Sequence, residues 1–129
     1  MDLRHDPELC PRFHRASELI GSRWTGAIIY VLLKKRCRFA TLRDAIPQIT
    51  DRMLSERLHE LEQEGIVERT VVPETPVRVE YELTSLGRSL IAPVSALAMW
   101  AIDHRGAIHG ARTKFDARES TKTSKSRAA

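Results

Sequence analysis

The chain has 129 residues, 42% of them hydrophobic and 29% charged, with a formal net charge of +4. That profile fits one globular domain able to bury a core of its own. It carries no apolar N-terminal leader, no uninterrupted apolar run of the ~18 residues a membrane span needs, and only two cysteines, Cys10 and Cys37, too few for a disulfide scaffold. A cytoplasmic protein with no membrane partner is expected.

The position of the charge says more than its total. Residues 112–129 hold six basic and two acidic side chains, so this segment alone carries the whole excess. Residues 34–57 hold seven basic residues against Asp44, Asp51 and Glu56, whereas residues 58–82 hold Arg69 and Arg78 against seven glutamates. A neutral body with one basic stretch implies a directional electrostatic face.

In chain order, Pro11 suits the first position of a helix that runs to about Ile20, and Gly21 stops it. Phe13, Ala16 and Ile20 share one stripe of that helix. A second helix is predicted from about Arg23 to Lys35, with Ser22 as its cap and a nearly all-apolar interior from Ala27 to Leu33. Arg38-Phe39 reads as an extended link. Thr41 is then expected to cap a short helix from Leu42 to Ile46, with Asp44 completing a capping box.

Pro47-Gln48-Ile49 breaks the chain, and Thr50 caps the next helix, which ends at Glu64-Gly65. Leu54, Leu58 and Leu61 form its apolar stripe. Two strands follow, Ile66 to Val72 and Arg78 to Leu83, the second alternating strictly, with a proline-bounded tip at residues 73–77. Thr84 caps a last helix from Ser85 to about His104, which Pro93 should bend or break. One folded domain is assigned to residues 8–108. Residues 109–129 are read as a basic tail too polar to fold alone, and disorder is expected there.

The informative unit is a short helix, a tight turn, a longer helix and a hairpin. The longer helix must turn its leucines inward, which leaves Thr50, Asp51, Arg52, Ser55 and Glu56 on its first turns and outward side. A DNA major groove, ~12 Å wide, admits one such helix with its N-terminal residues on base edges. Arginine can bond guanine bidentately, and serine and threonine serve bases or phosphates. The hairpin is the wing, and its Arg78 is directed at the backbone or minor groove. Thr41 and Arg57 complete the expected contacts to DNA. The expected fold is mostly α with a small β-sheet, a winged helix-turn-helix.

The sequence resembles the HxlR family of bacterial winged-helix regulators, related to the MarR group. The matching residues are Cys10-Pro11, the run from Gly21 to Thr25, Arg38-Phe39, the run from Ile46 to Thr50, and the run from Leu54 to Leu58. They continue from Glu64 to Thr70, from Pro76 to Tyr81, and from Leu83 to Gly87, with Trp100 in the last helix. The resemblance implies a homodimer closed by the first and last helices, with Phe13, Leu97 and Trp100 at the interface, on a pseudo-palindromic double-stranded operator. It also implies a sensing role for Cys10, because several relatives use the cysteine of the Cys-Pro pair to sense electrophiles or oxidants. Independently, a thiol at a helix N-terminus beside Arg12 and Arg15 should ionise more readily. The alternative for Cys10 is a buried, unreactive residue. Cys37 reads as packing, or as a resolving partner.

Cys10 and His14 are spaced like metal ligands, but two donors without a convergent third and fourth do not make a site, so neither metal nor cofactor is expected. No phosphate loop, nucleophile elbow or HExxH occurs, so an enzyme is not expected. Trp24 and Trp100 read as core or interface residues, with a small-molecule effector pocket between helices as the other use. The competing function is an effector- or protein-binding module on the same fold that lacks strong DNA affinity, a reading favoured by the neutral charge of residues 1–111.

Overall fold

A computed structural model describes residues 11–128, with side chains through residue 126. Its elements are α1 (Pro11–Gly21), α2 (Thr25–Lys34), β1 (Cys37–Arg38), α3 (Phe39–Ala45), α4 (Asp51–Gln63), β2 (Val67–Val72), β3 (Arg78–Leu83), α5 (Ser85–Arg88), α6 (Ile91–Asp103) and α7 (Arg105–Ala128). The fold is a winged helix-turn-helix, mostly helical with one small antiparallel sheet. Two compact units divide the chain, residues 1–94 and residues 95–129.

In the first unit the core gathers Ile28, Ile29 and Leu32 of α2, Leu42 of α3, and Leu54, Leu58 and Leu61 of α4. Ile66, Val67 and Leu83 close it from the sheet. The all-apolar interior of α2 is only partly enclosed, because Tyr30 remains exposed.

The turn between α3 and α4 is held from both sides. Ile46 and Ile49 are buried, while Gln48 takes a left-handed conformation at φ 69°. Such a backbone costs a non-glycine residue about 1 kcal/mol or more and persists where its surroundings fix it. Thr50 caps α4 as predicted, its hydroxyl accepting from the Met53 amide at 3.1 Å. At the other end Gly65 adopts φ 76°. The amides of Ile66 and Gly65 bond back to the carbonyls of Leu61 and Glu62 at 2.9 and 3.0 Å, a Schellman closure.

The sheet order is β1-β3-β2, so the central strand is β3. Its alternation turns Tyr81 and Leu83 toward the core and Arg78, Glu80 and Glu82 to the opposite face. Thr84 then caps α5, accepting from the Gly87 amide at 3.0 Å and donating to the Ile66 carbonyl at 3.2 Å.

Several expectations need correction. Ser22 does not cap α2: its hydroxyl bonds back to the Glu18 carbonyl at 2.8 Å, and left-handed Trp24 precedes the helix. Thr41 does not cap α3, and no capping box with Asp44 forms. The helix starts at Phe39, after extended Arg38, because Cys37 and Arg38 pair with Tyr81 and Glu80 as a third strand. Thr41 is an exposed residue within α3.

The last predicted helix is broken at Ser89-Leu90 into α5 and α6, four residues before Pro93, whose missing N–H leaves the Ser89 carbonyl without its helical donor. By length and mean hydropathy alone Ser85–Asp103 is long and apolar enough to cross a membrane, although Arg88, Pro93 and three serines interrupt it, so it is not a continuous apolar run.

In the second unit the polar tail is helical rather than disordered. α7 continues through Ala128, exposed nearly throughout. Beyond Gly110 it contains no glycine or proline, and alanine, arginine, lysine and glutamate are good helix formers. A Lys122–Glu119 pair at 3.5 Å adds local support.

Two glycines give opposite expectations. A Cβ at Gly87 would lie 2.2 Å from the Ile66 carbonyl oxygen, so backbone must move, whereas a Cβ at helical Gly26 meets nothing within 4 Å. Gly87→Ala should lower the denaturant midpoint by the equivalent of more than about 1 kcal/mol. Gly26→Ala should leave it unchanged or raise it by up to about 1 kcal/mol. Equal midpoints for the two variants would refute the close approach at the β3–α5 junction.

Candidate nucleic-acid interface

The face that could meet DNA is built from α3, the turn, the leading half of α4 and the hairpin. Burial of Leu54, Leu58 and Leu61 fixes the rotation of α4. Helical geometry then places Arg52, Ser55, Glu56 and His59 on the side away from the core, and all four are exposed. Arg52 is the freest, its side chain 89% exposed, with Nε 3.1 Å from the Glu56 carboxylate. Thr50 and Asp51 are exposed at the helix start. The Asp51 carboxylate accepts from Arg43 of α3 at 3.3 Å, which ties the two helices together.

Not every expected residue joins this group. Arg57 lies toward the core side of α4, half-buried, its guanidinium 2.6 Å from Glu60 and its Nε enclosed without a hydrogen-bond partner. It is not brought onto the stripe of Arg52 and Ser55. Arg78 sits at the start of β3, beside the tip, where the Thr75-Pro76 peptide is cis. Its side chain lines a cleft between residues 74–79 and Arg38, Phe39 and Ala40.

The sequence reading left out His59 and Arg43. The signal for His59 was present, because it lies four residues after Ser55 and seven after Arg52. Arg43 was not recoverable, since its pairing with Asp51 depends on the angle between two helices.

Arginines on this face are neutralised locally. Arg43, Arg52 and Arg78 all have a carboxylate within 3.3 Å. Within the basic stretch, Arg36, Arg43, Arg52 and Arg57 are thus held in ion pairs, and each exposed pair is worth little to stability.

Of the two cysteines, Cys10 lies outside the described residues. Cys37 is buried in the core, with its Sγ 3.4 Å from the Lys35 carbonyl. Burial pushes its thiol above the ordinary value, an effect that nearby Lys35 only partly opposes. A protonated, enclosed thiol is a poor nucleophile. Trp24 packs against the core under the guanidinium of Arg23, 4.7 Å from the ring centroid. Trp100 is exposed and stacks on His104, with ring centroids 5.0 Å apart. No cluster of three or more metal-binding side chains occurs among the described residues.

A family model described as HxlR-like helix-turn-helix matches residues 19–108. The chain belongs to this family. It is 48% identical over 93 residues to the HTH-type transcriptional regulator YodB of Bacillus subtilis, covering 72% of this chain and 83% of YodB. It is 45% identical over 96 residues to YvaP of the same organism, an uncharacterised HTH-type transcriptional regulator, covering 74% and 89% of the two chains. Among solved structures, the reduced form of the redox regulator HypR matches with a TM-score of 0.72 at 36% identity, covering 75% of this chain and 96% of HypR. The protein is accordingly a DNA-binding transcriptional regulator.

The enclosure of Cys37 has a direct test. In the native protein, iodoacetamide at neutral pH should label Cys37 at least tenfold more slowly than in denaturant, as followed by peptide mass spectrometry. Equal rates would show that the thiol is accessible.

Proposed function

We propose that the protein is a homodimeric repressor that reads a pseudo-palindromic operator through α4 and the wing. The observation that carries this reading is the exposed first half of α4 set behind a fully buried leucine stripe. Arg52 and Ser55 are assigned to base edges, Thr50 and the start of α4 to a phosphate, and Arg78 to the backbone beside the wing. Asp51 and Glu56 hold the neighbouring arginines until DNA replaces them. Thr41, exposed on α3, is assigned a backbone contact. Arg57 is assigned a structural part, supported by its half-buried position and its pairing with Glu60.

Dimerisation is supported by the apolar side chains the protomer leaves bare: Phe13 on α1, and Leu97, Met99, Trp100 and Ile102 on α6. A partner copy is preferred to a membrane for the Ser85–Asp103 segment because the family consists of transcriptional regulators and the segment is interrupted at Ser89-Leu90. Two protomers would present two copies of α4 to half-sites about one helical turn apart. Repression follows from occupancy of the operator. A cytoplasmic location and the absence of enzymatic activity accord with the same family membership. The basic residues of α7 would add nonspecific attraction to phosphates.

The assignment is tested by fluorescence anisotropy with an operator duplex selected from host genomic fragments. Affinity should fall steeply with salt, and Arg52→Ala should lose about 1–3 kcal/mol on the cognate site while relaxing its sequence preference. Sedimentation should give two protomers per duplex. An Arg52→Ala variant with unchanged preference removes the base-reading role, and a one-to-one complex removes the dimer.

Redox control through Cys10 is part of the proposal. It is supported by the Cys-Pro sequence and by the likeness to HypR, named as a redox regulator, and to YodB, whose solved structures include a diamide-treated form. Cys10→Ser should bind the operator as tightly as the parent yet fail to respond to diamide. A serine variant that is still released by diamide excludes Cys10 as the sensor.

A further inference from the structure

The outer face of β3 carries a charge ladder that neither the fold nor DNA contact by itself requires. It begins at the wing tip, where Glu74 lies 3.2 Å from Arg78. The Arg78 Nε lies 3.0 Å from one Glu80 oxygen. The other Glu80 oxygen accepts from Arg36, which enters from the α2–β1 link, at 3.3 Å. Arg36 also reaches Glu82 at 3.8 Å. Glu80 is the hub, on the central strand and facing two arginines from opposite directions, with its side chain only 15% exposed.

The outer members differ from the hub. Glu74 is 53% exposed and Arg36 is 56% exposed, so solvent competes for each. Arg78 is 28% exposed, and its Nε–H is enclosed without an aligned acceptor despite the short distance to Glu80. Arg78 is thus ion-paired on its Nε side with a shielded carboxylate. Arg78 lines the cleft shared with Arg38, and among the described residues its Nη1 pairs with exposed Glu74.

We infer that Glu80 is a positioning residue for DNA binding: it fixes the Arg78 guanidinium so that a phosphate can replace Glu74 without the arginine being reordered. The inference rests on the reading that Arg78 contacts DNA. It makes Arg36 the counterweight that holds the Glu80 carboxylate from its other side. A preset side chain forfeits less rotamer freedom on binding.

The sign of the effect separates positioning from bulk electrostatics. Removing a negative charge beside a DNA-facing surface should strengthen binding if only the field matters. Positioning predicts the reverse. Glu80→Gln should bind the genome-selected operator duplex several-fold more weakly, and its log-affinity against log-salt slope should fall by about 0.9, the contribution of one phosphate contact. In an Arg78→Ala background the same change should have no further effect.

Thermal unfolding establishes that each variant is folded. Should Glu80→Gln not fold, Glu80→Asp carries the test, because it keeps the charge and loses only the reach, and the same weakening is expected. Unchanged or tighter binding by the glutamine variant overturns the inference, as does a loss that persists without Arg78. An Arg78→Ala protein with parental affinity and slope removes the wing contact itself, a distinguishable failure.

Discussion

The rotation of α4 governs everything else in the DNA-facing surface. Leu54, Leu58 and Leu61 are almost completely withdrawn from solvent, packed with Ile28, Ile29 and Leu32 of α2 and Leu42 of α3. Each such side chain contributes on the order of 2 kcal/mol of burial, so no other rotation of the helix competes. With three of its residues committed inward, the helix has no choice about which others face outward. The specificity-bearing side and the core-forming side are two aspects of one constraint.

The ends of α4 fix its length as firmly as the leucines fix its rotation. Thr50 closes the first turn, and Gly65 in the left-handed region closes the last. From Gly65 the chain passes straight into Ile66 and β2, and the Ile66 carbonyl is met again by Thr84 at the far end of β3. The hairpin is thus fastened at its base to the end of the recognition helix. The close approach at Gly87 seals the same junction. The wing and the helix are therefore joined at one fastened junction, which would let the proposed contacts of both be set by one docking event.

Local chemistry made much of this legible in the sequence. The threonines at positions 50 and 84, Gly65, and the alternation of β3 carry their meaning in a few neighbouring residues. What escaped was decided at long range. The start of α3 moved from Thr41 to Phe39 because residues 37–38 join a strand more than forty positions away. Arg57 was grouped with Arg52 by charge, yet the angular difference along α4 sends it to the edge of the core. The Glu80 hub draws its partners from two separate segments, so no window of sequence contains it. The tail was judged on its inability to form a core, which says nothing against a solvent-exposed helix free of glycine and proline beyond Gly110.

Pairing of the outward arginines with carboxylates on their own chain bears on how such a regulator searches a genome. On the proposed contacts, a phosphate of arbitrary duplex would have to displace Glu56, Asp51 or Glu74 for roughly equal return, which would keep sliding encounters shallow and brief. Only where base edges add their own bonds does the exchange become favourable, and dwell time then lengthens. In that arrangement the acidic neighbours would act as a brake on indiscriminate adhesion.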